Sequence, residues 1–166
     1  MAMEILLARV DSRLLHGQVA TSWTKNIHPN RILVVSDNVA NDALRKTLIT
    51  QAAPMGVPTN VITIEKMLRL YHDPMFDSFK ILLLTETVQD MLRLVQGGVN
   101  LSHLGIDIGS LAYSEGMTML NETIAVGPLE VKAIRTLHEL GLDVFAQKVP
   151  SDGKKEILPM LEKYHL

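Results

Sequence analysis

Cysteine is absent from the 166 residues, which excludes disulfides, thiolate metal sites and cysteine nucleophiles and agrees with a reducing cytosol. A surplus of either charge is missing too: 16 Lys and Arg stand against 18 Asp and Glu, a formal net charge of -2 with both signs scattered along the chain. Without a basic block to neutralise a phosphate backbone, no nucleic-acid partner is expected. No apolar stretch approaches the ~20 residues that a membrane-spanning helix requires. The opening MAMEILLARVD lacks a basic leader and a small-residue cleavage site, so it reads as a first strand and not as a signal peptide. Glycine-rich phosphate loops are lacking: neither GxGxxG nor the Walker pattern occurs, and IDIGS at 106–110 does not stand in for one. HExxH is absent, and His28, His72, His103, His138 and His165 show no metal-ligand spacing. No metal site is expected, and no cofactor.

What is there is an ordinary globular balance, 47% hydrophobic and 20% charged, in one stretch without repeats, low complexity or linkers. A single domain over 1–166 is expected. Short apolar runs alternate with helical patterns. Strands are expected over Met3 to Val10, Arg31 to Ser36, Asn60 to Ile64, Lys80 to Thr85, His103 to Ile108, Glu122 to Val126 and Asp143 to Gln147; ILVVS and ILLLT suit strands buried on both faces. Val19, Trp23 and Ile27 make one apolar helical stripe. Further helices are expected over Val39 to Ala53, with Asp42 in its first turn and Pro54 beyond its end, and over Glu65 to His72, Val88 to Gln96 and Leu129 to Leu140. The tail from Asp152 is helical in pattern, with a break or fresh start near Leu158 because Pro159 cannot sit in a helix interior. Alternation of this kind predicts an α/β fold: an open, mostly parallel twisted sheet of about seven strands, helices on both faces, and one antiparallel edge strand leading out of the turn near Glu115 and Gly116.

In such sheets ligands bind beyond the carboxyl ends of the strands. The loop Asp11 to His16 opens there, and Asp37, Glu86 and Gly109 share the rim. Asp37 lacks the paired acids of a magnesium-dependent phosphoacceptor. His16 is the nucleophile candidate. A histidine's ordinary pKa of about 6.5 leaves a large neutral fraction near neutrality, and the neutral ring has a lone pair that can attack phosphorus. Arg9 and Arg13 are expected to take phosphoryl oxygens as planar forks. Amides of Gly17, Gln18 and Val19 face the same point from the helix mouth, and Gly17 lets the backbone come close. Two other readings stay open on the residues alone: a non-catalytic module that binds an anion, and a flavodoxin-like nucleotide-binding enzyme.

The run R-V-D-S-R-L-L-H-G-Q-V at 9–19 with Trp23, followed by R-I-L-V-V-S-D at 31–37, A-P-M-G-V at 53–57 and L-H-E-L-G-L-D-V-F-A-Q-K-V-P at 137–150, resembles the IIB component of the mannose/fructose/sorbose family of the bacterial phosphoenolpyruvate-dependent sugar phosphotransferase system. The resemblance implies that His16 accepts a phosphoryl group on Nδ1 from a IIA protein or domain and passes it to a sugar at the membrane IIC and IID subunits. It implies that Arg9 and Arg13 surround the phosphohistidine, that Asp11 pins an arginine or the loop, and that the protein is cytoplasmic, held at the inner face of the membrane through the transporter. The family covers transporters for several sugars, and a homo-oligomer remains open. One departure is local: where the family shows paired glycines near Gly109, this chain reads G-S-L, so the role of the loop from Gly109 to Met117 stays open.

Overall fold

The computed structural model describes residues 3–166. The strands are β1 (Glu4–Asp11), β2 (Arg31–Val35), β3 (Thr59–Ile62), β4 (Lys80–Thr85), β5 (Ile106–Ser110), β6 (Thr118–Met119), β7 (Ala125–Val126), β8 (Val144–Ala146) and β9 (Lys155–Glu156). The helices are α1 (Gly17–Ile27), α2 (Asp37–Ala40), α3 (Ala43–Gln51), α4 (Ile64–Tyr71), α5 (Val88–Gln96), α6 (Pro128–Glu139) and α7 (Ile157–Lys163). Seven strands form one sheet in the order β3-β2-β4-β1-β5-β8-β9. Every neighbouring pair is parallel except β8 with β9. The expected architecture is therefore present, an α/β sheet with helices on both faces.

Side chains alternate across β1, and this sorts the two cores. Ala8 and Val10 join Leu83, Ile106 and Ile108 in a core covered by Met67 of α4, Met91 and Leu94 of α5, Ile134 and Leu137 of α6, and Ile157 of α7. Leu7 joins Ile32, Val34, Leu82 and Leu84 on the opposite face, beneath Ala20 and Trp23 of α1. The chain leaves β1 for β2 and β3 on one side of the sheet and, after β4, crosses to β5 and β8 on the other. The carboxyl end of β1 thus lies where the strand order reverses, the place where such sheets form their crevice.

Several boundaries differ from expectation for local reasons. The helix expected over Val39 to Ala53 is two: the Asp42 side chain accepts from Arg45 N–H at 3.2 Å, so it caps a new helix instead of sitting inside one. The strand expected from His103 begins only at Ile106, after a turn in which Leu104 and Gly105 N–H both reach the Leu101 carbonyl. The Glu122 to Val126 strand shrinks to β7, which pairs with β6 in a separate two-stranded sheet. The antiparallel edge of the main sheet is β9 instead, in a tail expected to be helical; two exposed charged residues carry no strand signal, although they suit an edge. The helix starts afresh at Ile157, and Pro159 then falls in its first turn, where no intrahelical N–H is required.

Candidate functional site

The loop between β1 and α1 is shaped by a tight turn and two anchors. Leu14 N–H donates to the Asp11 carbonyl at 2.8 Å, and Leu14 adopts a left-handed backbone with φ of 57°. Such a conformation costs a non-glycine residue roughly 1–2 kcal/mol; here burial of Leu14 and Leu15 in the α1-side core offsets it. Gly17 also has a positive φ, 43°, and a Cβ there would touch nothing, so glycine answers a conformational need at that position. His16 is the N-cap of α1, in extended conformation and without a side-chain capping bond. Its ring turns back to the strand end, where Nε2 lies 3.2 Å from Asp11 Oδ2. A carboxylate only accepts, so Nε2 carries the proton and Nδ1 the lone pair. Among the described residues Nδ1 has no hydrogen-bond partner, and the side chain is 23% exposed.

Asp11 is itself buried at 1% exposure and accepts from four donors. Oδ1 takes the Ser110 hydroxyl at 2.7 Å and Arg13 N–H at 3.0 Å; Oδ2 takes His16 and, at 3.4 Å, Arg9 Nη2. The first backbone bond of α1 runs from Ala20 N–H to the His16 carbonyl, leaving the amides of Gly17, Gln18 and Val19 at the helix mouth, with no acidic side chain in the first turn. The exposed Arg13 side chain forms no ion pair among the described residues. Beside the loop, Ser12, Glu86, Thr87 and Leu111 border a cleft of about 250 Å³.

Comparison with known proteins decides the family. Residues 5–166 match the family model described as PTS system sorbose subfamily IIB component. The chain belongs to that family. It is 40% identical over 161 residues to the PTS system mannose-specific EIIAB component of Escherichia coli K12, covering 97% of this chain and 49% of that protein. It is 37% identical to the PTS system sorbose-specific EIIB component of Klebsiella pneumoniae, covering 97% of each. The chain thus spans about half the length of the mannose-specific relative and nearly all of the sorbose-specific one. The crystal structure of the IIBSor domain of the sorbose permease from Klebsiella pneumoniae superposes with a TM-score of 0.93 at 36% identity, over 97% of this chain and 98% of that one.

In this IIB-family chain Asp11 bonds both the His16 ring and the Arg13 N–H, and Gly17 and Gln18 open α1 directly after His16, while the Arg13 guanidinium makes no hydrogen bond among the described residues. Arg9 is placed differently. It is 3% exposed and engaged on three sides: Nη1 donates to Asp107 Oδ2 at 2.5 Å and to the Gln147 carbonyl at 2.7 Å, and Nη2 reaches Asp11. The Trp23 ring covers it, 5.6 Å from centroid to guanidinium. The free fork expected of Arg9 is not available, because alternation along β1 points it under α1 and not into the crevice. The other rim residues are also engaged: Asp37 accepts from Ile64 N–H and pairs with Arg93, Glu86 pairs with Arg45, and Gly109 faces the Arg9 guanidinium.

Sequence reasoning missed Asp107, Ser110 and Gln147. A signal for the first existed: an acid inside the apolar strand IDIGS must meet a buried cation. The Asp107 carboxyl is pushed up to about 6, since burial outweighs the lowering by Arg9 and by Gln147 N–H. The folded value lies above the ordinary 3.8, so between about pH 4 and 6 the native chain holds more protons than the unfolded one, and stability from this group falls as pH rises through that window. The stability of Asp107→Asn relative to wild type is therefore expected to improve from pH 4 to pH 7, as read from urea midpoints at the two values.

Proposed function

We propose that this chain is a phosphoryl carrier of a sugar-transporting phosphotransferase system, a single IIB unit over 1–166 whose acceptor is His16 Nδ1. The observation that carries the reading is the ring's orientation: Asp11 holds Nε2–H, and the lone pair of Nδ1 is left at an open helix mouth. In the first step Nδ1 attacks the phosphorus of a phosphohistidine on a IIA protein or domain; the N–P bond of the donor breaks and its electron pair returns to the donor ring. In the second a sugar hydroxyl oxygen attacks the same phosphorus and gives up its proton to solvent, while the Nδ1–P bond breaks and its electron pair returns to the His16 ring. Asp11 stabilises the positive charge that the ring gains during attack, as a carboxylate does when it orients a reacting imidazole. The three free amides of Gly17, Gln18 and Val19 and the Arg13 guanidinium are suited to the phosphoryl oxygens. Arg9 supports this site from beneath, through Asp11, without touching phosphate.

The relatives support the partners of this scheme. One carries IIA and IIB in a single mannose-specific EIIAB protein, and another is named sorbose-specific; in this scheme the sugar is chosen by the membrane IIC and IID subunits. No helix among the described residues is long and apolar enough to cross a membrane. The chain then works at the cytoplasmic face, held there by its partners.

The test is a relay in solution. Protein incubated with phosphoenolpyruvate, the general phosphocarriers and a mannose-type IIA is expected to gain one acid-labile phosphate by intact mass. A chain that binds sulfate but gains no covalent phosphate overturns the proposal in favour of an anion-binding module. Within the same assay, Arg13→Gln is expected to slow phosphate uptake about tenfold, the effect of one lost charge-assisted contact, with the melting temperature unchanged.

A further inference from the structure

His16 leans on one carboxylate, and that carboxylate is contested. Asp11 Oδ2 faces two donors at similar range, His16 Nε2 at 3.2 Å and Arg9 Nη2 at 3.4 Å. A guanidinium is the stronger competitor, since its positive charge is permanent and a neutral imidazole brings none. What keeps Arg9 from closing on Asp11 lies on the neighbouring strand. Asp107 Oδ2 takes Arg9 Nη1 at 2.5 Å, a much shorter contact than the one to Asp11, and its Oδ1 is held by Gln147 N–H at 2.9 Å. Both carboxylates are within 1% of full burial, so the guanidinium sits between two anions in a region of low dielectric and is drawn to the nearer. Gly109 lets it sit there: a Cβ at that position would lie 2.1 Å from Nη2.

The other oxygen of Asp11 is controlled from the same strand. The Ser110 hydroxyl donates to Oδ1 at 2.7 Å, and Ser110 Oγ also receives Ser12 N–H at 3.2 Å and lies 3.0 Å from Ser12 Oγ. With Oδ1 pinned by Ser110 and by Arg13 N–H, the carboxylate cannot rotate, and Oδ2 stays aimed at the ring.

We infer that Asp107 and Ser110, neither of which hydrogen-bonds to His16, are positioning residues that keep Asp11 available to His16 Nε2–H. Asp107 does so by drawing Arg9 off Asp11, and Ser110 by fixing the direction of the carboxylate. The consequence for phosphoryl transfer rests on the function proposed above: Asp11 can answer the charge that develops on the ring only while Arg9 has not already satisfied it. The geometry itself does not depend on that reading.

The experiment is a ring spectrum of protein carrying no phosphate, taken at pH 8 with ¹⁵N-labelled histidine. In wild type the His16 ring is expected to be held as the Nε2–H tautomer. In Asp107→Asn, which keeps the shape and removes the charge, Arg9 swings toward Asp11, and the ratio of Nδ1–H to Nε2–H forms is expected to rise about five- to tenfold, the worth of one ordinary hydrogen bond. Ser110→Ala is expected to shift the ratio in the same direction. Phosphate uptake should slow in step with the tautomer shift, and a residue that served stability alone would leave the ring unmoved. Ring resonances in Asp107→Asn that coincide with wild type, in a protein whose amide spectrum shows the fold intact, overturn the inference. If Asp107→Asn does not fold, Ser110→Ala leaves the buried ion pair whole and takes its place: an unshifted ring overturns the inference there too. Because no phosphate is involved, an unmoved ring leaves the phosphoryl-carrier reading standing, and a His16 that never accepts phosphate leaves this readout standing.

Discussion

His16→Ala is expected to take up no phosphate at all, with the fold undisturbed. Among the described residues of the loop His16 is the one ready nucleophile: the chain has no cysteine, and Leu14 and Leu15 are apolar. The other polar side chains are an acid already accepting four hydrogen bonds, an arginine, and Ser12, whose hydroxyl lies 3.0 Å from Ser110 Oγ with no base to activate it. Loss of the ring therefore removes the only lone pair placed to attack phosphorus, and no neighbour replaces it. The cost to stability should be slight. His16 caps α1 without a side-chain bond, its side chain is partly in solvent, and Asp11 keeps three of its four donors when the imidazole is gone. Intact mass after the relay reaction reads the first effect, and thermal unfolding the second. An alanine variant that gains as much phosphate as wild type would move the acceptor elsewhere and end the proposed function.

The second large effect is on stability. Gly109→Ala would place a Cβ 2.1 Å from Arg9 Nη2 and 2.3 Å from Cζ, far inside van der Waals contact. The guanidinium has nowhere to retreat: Trp23 lies over it, Asp107 and the Gln147 carbonyl hold one nitrogen, and Asp11 faces the other. Accommodating one methyl group means pulling Arg9 from between two buried carboxylates and leaving them without their counter-charge. Breaking a buried ion pair in this manner costs about 3–5 kcal/mol. A urea titration should show that loss as a lowered midpoint. A variant within about 0.5 kcal/mol of wild type, the range of an ordinary surface change, would mean that Arg9 is not locked as described. Gly116→Ala is no equivalent control for space, since its φ of 90° strains any side chain whatever the room around it.

How much of this is legible in the sequence depends on distance along the chain. The runs ILVVS and ILLLT announce buried parallel strands, because a strand covered on both faces needs no polar alternation, and both lie inside the sheet with a parallel neighbour on each side. The loop from Asp11 to Gln18 is legible because its parts are neighbours in sequence. Its support is not: Asp107 meets Arg9 across 98 positions and Gln147 meets it across 138, and no local pattern joins strands that pair only in the folded sheet. Arg9 misleads for a related reason. Proximity to His16 in sequence suggests a shared ligand, whereas the two-residue period of β1 sends Arg9 beneath α1. The edge strand β9 and the division of one helix into α2 and α3 stay hidden because each turns on one or two polar residues, Lys155 with Glu156 and Asp42, acting against a pattern set by many.

Trp23 is the sole tryptophan of the chain, and it rests on the guanidinium that braces the acid behind His16. Its indole N–H is fastened to the Lys148 carbonyl at 3.2 Å, so the fluorophore has a fixed seat at the edge of the network and not a wandering one on the surface. Charge placed at the loop is therefore expected to reach the indole through that guanidinium, and a change in tryptophan emission across the relay reaction would follow it without a dye, a radioactive tracer or an added label.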